Sequence, residues 1–299
     1  MTLALPAQPR SDTIRGIAFM LASMAIFVVN DTLMKIAAGH LPTGQAIFVR
    51  GLLTSVLGAT MIAASGAHRA LPYAVSGRVL WRAAADVGGT IFFLNALVRM
   101  PMADLFGILQ FIPLAVTAGA ALFMGAKVGW RRWAATCVGL LGVLIIVRPG
   151  GSAFTSAALL AVLAVLFSAL RDLLSRSVPA TVPPLIIVTV GSAVVTLASL
   201  GFTAVETWRW PQNATLLILF GASGALLAGQ AWLVAAMRTG HIGAVAPFRY
   251  SMVLWAIVAG YAVWGEIPDA AAWAGISIVT AAGLYTFWRE QQALRHATP

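Results

Sequence analysis

The chain has 299 residues, of which 60% are hydrophobic and only 9% charged, against about 45–50% and about 25% in an ordinary soluble domain. Ionisable side chains this scarce cannot coat a water-soluble globule of that size, which excludes a soluble enzyme, a nucleic-acid binder and a disordered chain. The net charge of +10 is spread in short clusters between apolar runs, the pattern of membrane topology rather than of a polyanion site. A membrane-spanning helix needs about 20 apolar residues, so the length accommodates about ten.

In chain order, the apolar runs predict spans at 14–37, 43–64, 79–99, 102–124, 130–147, 155–175, 183–205, 212–236, 242–264 and 270–289. Gly39 and Pro42 separate the first two, and Pro72 and Gly77 the next. Pro101, Gly129, Pro149-Gly150-Gly151, Pro179 with Pro183-Pro184, Pro211, Gly240 and Pro268 mark the remaining gaps. The runs are long and continuous, which indicates helices rather than the alternating strands of a barrel. The first run is read as a retained span and not a signal peptide, because it continues into Asn30, Asp31 and Lys35 without a clear cleavage site.

Lys and Arg counts orient the chain. With the N-terminus in the cytoplasm, the inner side holds Arg10, Arg15, Arg69, Arg78, Arg82, Lys127, Arg131, Arg132, Arg171, Arg176, Arg238, Arg289 and Arg295. The outer side holds only Lys35, Arg99, Arg148 and Arg209, and Arg50 and Arg249 lie within spans. This predicts a multi-pass protein of the cell inner membrane with both termini inside and an even number of spans. The lone Cys137 sits in an apolar run and is read as a small core residue, and four isolated histidines make no ligand set, so no cofactor or metal site is expected.

The two halves look alike. Ala96-Leu97-Val98-Arg99 matches Ala235-Ala236-Met237-Arg238 at an offset of 139 residues, Met124-Gly125 matches Trp264-Gly265 at 140, and Asp31 with Lys35 matches Asp172 with Arg176 at 141. A repeat of five spans must insert its second copy upside down. This divides the chain into 14–148 and 155–289, and such inverted repeats recur in secondary transporters with a midplane site.

These features together resemble the EamA type of the drug/metabolite transporter superfamily. The resemblance is carried by the stretch from Ala96 to Gly125, by Trp133 and the small-residue run Gly139 to Val143, and by the copy from Ala235 to Glu266 and Trp273 to Gly283. Where the family's first copy more commonly has an acidic residue, this chain has Ala126; Glu266 keeps it in the second. The resemblance implies an all-α membrane protein of ten helices in two inverted repeats, exporting amino acids, other metabolites or drugs.

No phosphate-binding loop or catalytic cluster is present. Chemistry must therefore come from polar groups within spans, which are costly in hydrocarbon. Arg50, Asp86 and Arg249 have no charged counterpart in the other repeat; Asp86 and Arg249 each lie seven residues from the inner end of a span, about 10 Å deep. They are expected to share a cavity and to pair, the alternative being Asp86 with Arg82 at i−4. Gln110 aligns with Arg249, and Tyr250 and Trp255 carry polar handles that lipid would leave unpaired; these six are the substrate-binding candidates. Asn30, Asp31 and Lys35, with an i, i+4 pair between the last two, and the helix-interrupting Pro113 and Pro247 are the gating or coupling candidates. Asp172 and Arg176 are expected to form a helix-end pair. The small-residue stretch Gly221 to Gly229 suits close helix packing.

The expected function is alternating-access export of a small metabolite, an amino acid or related amphipathic compound, with the lipid bilayer as surroundings and no nucleic-acid partner. An antiporter of phosphorylated or sugar-linked metabolites would need a denser basic cavity, and a channel or an intramembrane enzyme are the other classes weighed. If the orientation is right, reporter fusions at both termini of the chain report the cytoplasm; a periplasmic signal from either end overturns it.

Overall fold

The computed structural model describes residues 10–66, 76–126, 128–149, 155–179, 182–204, 206–239 and 242–297. Arg69 and Lys127 of the basic count, His68 and His241, and the breakers Pro72, Gly150, Gly151 and Gly240 lie outside them. Among the described residues the regular structure is entirely helical. The elements are α1 (Arg10–Ala38), α2 (Thr43–Ser65), α3 (Gly77–Leu97), α4 (Met102–Leu109), α5 (Ile112–Met124), α6 (Trp130–Val147), α7 (Ser156–Ser175), α8 (Pro184–Thr203), α9 (Asn213–Thr239), a single turn α10 (Ile242–Val245), a 3-10 segment (Ala246–Tyr250), α11 (Ser251–Trp264) and α12 (Ala270–Ala297).

Nine segments are long and apolar enough to cross a bilayer among the described residues, counting Met102–Met124 and Ala246–Trp264 as one each. The expected span at 79–99 is α3, 21 residues long, and it falls outside the nine. Arg78, Arg82, Asp86 and Asn95 lower its hydropathy, and two of these, Arg82 and Asp86, reappear below with partners on α7. Large apolar side chains cover the outside of the bundle, among them Phe123 (83% exposed), Leu217 (71%) and Leu197 (67%). Such a surface is stable only against lipid.

Helix ends follow local chemistry. Proline precedes α2, α4 and α8, where its missing N–H costs nothing. Gly125 and Gly265 end α5 and α11 in the left-handed region (φ 66° and 68°). In each case the next amide reaches back to the carbonyl six residues earlier, Ala126 N to Ala120 O and Glu266 N to Gly260 O, both at 3.1 Å. These two positions, offset by 140 residues, thus carry the same C-cap.

Four helix pairs form the frame: α1 with α9, α3 with α7, α2 with α8, and α6 with α12. The short α4 lies inside it, and its Met102, Leu105 and Ile108 are wholly buried. Backbones approach closely where side chains are absent. A Cβ on Gly142 of α6 would sit 2.8 Å from Val279 and 3.0 Å from the Gly275 carbonyl of α12. Within the Gly221–Gly229 stretch, Gly229 receives the Phe27 ring of α1, so at least this position packs within the chain. Cys137 is exposed on α6 and not in the core as expected, because the buried edge of that helix is drawn by Gly139, Gly142, Val143 and Ile146.

Two of the long apolar runs are broken midway. The fourth tightens into a turn at Gln110-Phe111, where the Phe111 amide bonds Ile108 O three residues back, with Pro113 opening α5. The ninth passes through the 3-10 segment holding Pro247 before α11 begins. Each proline removes a donor and forbids a continuous α-helix through its position. Gly142→Leu is expected to destabilise the α6–α12 contact by about 1–3 kcal/mol, the usual cost of overpacking, seen as a lower thermal midpoint in detergent. Gly224→Ala, where a Cβ would meet nothing within 4 Å, is expected to leave it unchanged.

Candidate functional site

Polar contacts concentrate at the two ends of the bundle, where most charged groups are paired, although Asp104 Oδ1 and Arg148 Nε are buried there without a partner. At the end opposite the chain termini, Lys35 closes α1. Its Nζ is 2.7 Å from Glu266 Oε1, donates to the Met100 carbonyl at 3.0 Å and lies 4.6 Å from the centre of the Trp264 ring. Glu266 Oε2 accepts from the Met102 amide at 2.8 Å, capping α4. One carboxylate thus joins α1, α4 and the turn after α11. The expected Asp31–Lys35 pair is therefore not formed, since Glu266 takes the ammonium.

The same end holds two more ties. Glu206 accepts from the Gly44 and Gln45 amides at 3.0 and 3.1 Å, capping α2, and the Gln45 amide group binds the backbone of Arg209 on both sides. Arg148 is paired with Asp269, which also caps α12 through the Ala272 amide. The Arg148 hydrogen bonds hold the Asp269 carboxyl below the usual carboxylate range. The folded value being depressed, this tie is present at neutral pH and is lost only as pH falls through that lowered value.

At the other end, α3 and α7 share a network. Asp86 accepts from Arg171 Nη1 at 3.1 Å and lies 3.9 Å from Arg82 Nη1. Arg171 also meets Asp172 at 3.0 Å, and Arg82 Nε donates to Ser175 Oγ at 2.9 Å. The expected Asp86–Arg249 pair is not formed, because the α3–α7 packing brings Arg171 to Asp86. Arg249 is exposed and makes no ion pair among the described residues. The expected Asp172–Arg176 pair is replaced by Asp172–Arg171.

Between the ends lies a set that the protein does not saturate. Asn30 and Asp31 on α1 are 4% and 7% exposed. Asn30 Nδ2 donates to Asp31 Oδ1 at 2.7 Å, while Asn30 Oδ1 is buried without a partner. Arg50 on α2 makes no side-chain hydrogen bond or ion pair among the described residues, and its Nε is buried and bare. Ser223 of α9 donates to the Arg50 carbonyl at 3.1 Å, and a Cβ on Gly221 of the same helix would meet Leu33 of α1, two residues on from Asp31, at 3.5 Å, so Arg50 and Asp31 lie at one level of the bundle. A guanidinium drawn partly out of water without a partner is costly. A carboxylate, phosphate or other planar acceptor from outside the chain relieves that cost.

The helix breaks meet each other. Gln110 Nε2 donates to the Tyr250 carbonyl at 2.9 Å, so its amide is used within the protein. The Tyr250 hydroxyl lies where a side chain on Gly283 would sit. Trp255 is 38% exposed on α11. No hydrogen bond or ion pair among the described residues links Arg249, Tyr250 or Trp255 to the Asp31–Arg50 set. Among the candidates, then, Asn30 and Asp31 are joined directly with Arg50 at their level, Asp86 belongs to the α3–α7 network, and Lys35 is one turn beyond Asp31. The sequence reading had not placed Arg171, Glu206 or Asp269 in any contact, and had noted Glu266 only for its family position. Glu266 was nonetheless legible as an acidic residue where the other copy has Ala126.

The fold is shared with a solved crystal structure that is 17% identical, with a TM-score of 0.62 over 96% of this chain and 99% of that one. Curated relatives match end to end. The chain is 26% identical over 287 residues to a riboflavin transporter of Vibrio cholerae, covering 94% of this chain and 96% of that one. It is 24% identical to an S-adenosylmethionine uptake transporter of Rickettsia conorii (93% and 94% covered) and 26% identical to a pseudopaline exporter of Pseudomonas aeruginosa (89% and 94%). The EamA-like transporter family matches residues 14–148 and 155–288. With both halves matched, an apolar outer surface and polar groups held inside the bundle, this chain is a multi-pass membrane protein that belongs to the EamA-like transporter family.

Proposed function

We propose that this protein is an inner-membrane secondary transporter that exports a small metabolite, an amino acid or related amphipathic compound, by alternating access. The observation that carries the reading is Arg50, partly buried with a bare Nε, at the level of the buried Asn30 and Asp31. A permanent binding partner within the protein would leave no reason for a bare guanidinium there. A transported carboxylate that comes and goes gives one. The named cargoes of the relatives, riboflavin, S-adenosylmethionine and pseudopaline, are small metabolites carried in either direction, so export is the less constrained part of the proposal.

The topology we propose is ten crossings with both termini in the cytoplasm, α3 being the tenth. Its length of 21 residues suits a span, and its Arg82 and Asp86 side chains are held by α7 rather than left to lipid. The two halves, 14–148 and 155–289, we read as inverted repeats. The pairing of α1 with α9 and of α3 with α7 supports this, because a shift of five spans exchanges the two pairs. The pairs α2–α8 and α6–α12 map onto themselves under the same shift.

Alternating access needs two states. The outer halves of the broken spans, α4 and α11, pack together, whereas α5 lies on α6 and α7 and the 3-10 segment lies on α1. This arrangement supports reading the conformation as closed outward and open inward. The Lys35–Glu266 bond is then the outer lock, with the breaks at Pro113 and Pro247 as the places that flex.

Flux in proteoliposomes tests the function. The purified full-length protein is expected to exchange at least one amino acid or small amphipathic metabolite in a saturable manner, and non-saturating flux would instead indicate a channel. Glu266→Gln tests the lock. Loss of a partly buried pair, about 1–3 kcal/mol, shifts the population toward the outward-open state by about tenfold. Ala256 is fully buried on α11, so in a Cys137→Ser, Ala256→Cys background a membrane-impermeant thiol reagent applied outside is expected to label Glu266→Gln several-fold faster; equal labelling overturns the lock.

A further inference from the structure

Asp31 is buried and Arg50 partly buried; they are opposite in charge and sit at one level of the bundle, where Gly221 of α9 faces Leu33 and Ser223 binds the Arg50 carbonyl, yet they form no ion pair among the described residues. The usual outcome for two such groups in hydrocarbon is a direct pair, since neither has water to fall back on. Lys35, one turn along the same helix, is committed to Glu266 and does not serve Asp31. Asp86 already accepts from Arg171. Asp31 is left with one neutral donor, Asn30 Nδ2. The Asn30 carbonyl oxygen beside it is an acceptor with nothing to accept from.

The site therefore has two ends of different character. At α1, a carboxylate and a bare amide oxygen want a donor, ideally a cationic one. At α2, a bare guanidinium edge wants an anionic acceptor. We propose that Asp31, aided by Asn30, binds the cationic amine of the substrate while Arg50 binds its carboxylate. Asp31 is thereby the residue that makes the carrier select zwitterions over simple anions. This rests on the reading of the cargo as an amino acid or related compound and deepens it. An ammonium group has three donors and no acceptor, which matches Asp31 with Asn30 Oδ1. A carboxylate matches the planar fork of Arg50. The two protein charges cancel, so a net-neutral zwitterion leaves the occupied site neutral, whereas an anion alone would strand Asp31.

The test uses the full-length protein in proteoliposomes loaded with each amino acid in turn. The amino acid exchanged best becomes the probe, together with its N-acetyl and decarboxylated analogues as competitors. The wild-type protein is expected to prefer the zwitterion by at least about tenfold over either analogue. Asp31→Asn is expected to weaken the zwitterion about tenfold and bring the N-acetyl analogue level with it. Arg50→Gln is expected to do the same for the decarboxylated amine. Asp31→Glu, which keeps the charge, should retain the preference, and Asn30→Ala should reduce it partly. A thermal midpoint equal to that of the wild type shows that the variants fold; should Asp31→Asn not fold, Asp31→Glu and Asn30→Ala carry the comparison. If the wild type takes the N-acetyl analogue as well as the zwitterion, or if Asp31→Asn keeps the wild-type preference, the inference is overturned while the carrier reading stands. If other metabolites exchange but no amino acid does, the amino-acid reading itself fails and the inference falls with it.

Discussion

A charge placed within a bilayer has no water to satisfy it, and so must find its partner on another part of the same protein. That requirement shapes this bundle more than any single apolar contact, because apolar side chains are as comfortable against lipid as against each other. Glu266 illustrates it. One of its oxygens holds Lys35 of α1 and the other caps α4, so the short buried helix is located by a carboxylate that arrives from the far end of the sequence. At the opposite end, Asp86 plays the same part between α3 and α7 through Arg171.

The consequence is a molecule in which most charged groups are paired at the ends and fewer are paired between them. Capping, ion pairing and cation–π contact engage Lys35, Glu206, Glu266, Asp269 and Arg148 at one end and Arg82, Asp86, Arg171 and Asp172 at the other. Between them Arg50 has no ion pair and Asn30 and Asp31 have only each other. Stability alone does not favour leaving them so, since a few apolar substitutions would remove the cost. A function in which something else supplies the missing partners, and then departs, accounts for their retention.

Interrupted helices give the same centre the means to change shape. Gln110 of one break donates to the Tyr250 carbonyl of the other, so the two discontinuities are tied together at a single point. Beyond that point the halves take different neighbours. Packed elements of this kind switch between discrete arrangements rather than deforming smoothly.

Much of the architecture was legible before any coordinates. Hydropathy runs and Gly/Pro punctuation located the helices to within a few residues, because a span must be long and apolar and its ends need turn chemistry. The breaks at Pro113 and Pro247 were legible for the same local reason. Charge partners were not. Asp31 with Lys35 and Asp172 with Arg176 satisfy helical spacing, and Asp86 with Arg249 satisfies equal depth, but spacing and depth say nothing about which helices lie side by side.

The amino-acid sequence by itself thus determined that the chain lives in a membrane, how its apolar runs are divided, and which few polar groups are expensive enough to matter. Only the tertiary structure decided how those groups are used. Setting α3 against α7 brought Arg171 to Asp86, and bringing the turn after α11 to α1 gave Lys35 to Glu266. With Lys35 and Asp86 committed in this way, the packing left Arg50 and Asp31 at one level without a bond between them. The physical reason is that helical periodicity acts over a few residues, whereas the pairing of buried charges is settled by contacts between residues as far apart as Lys35 and Glu266.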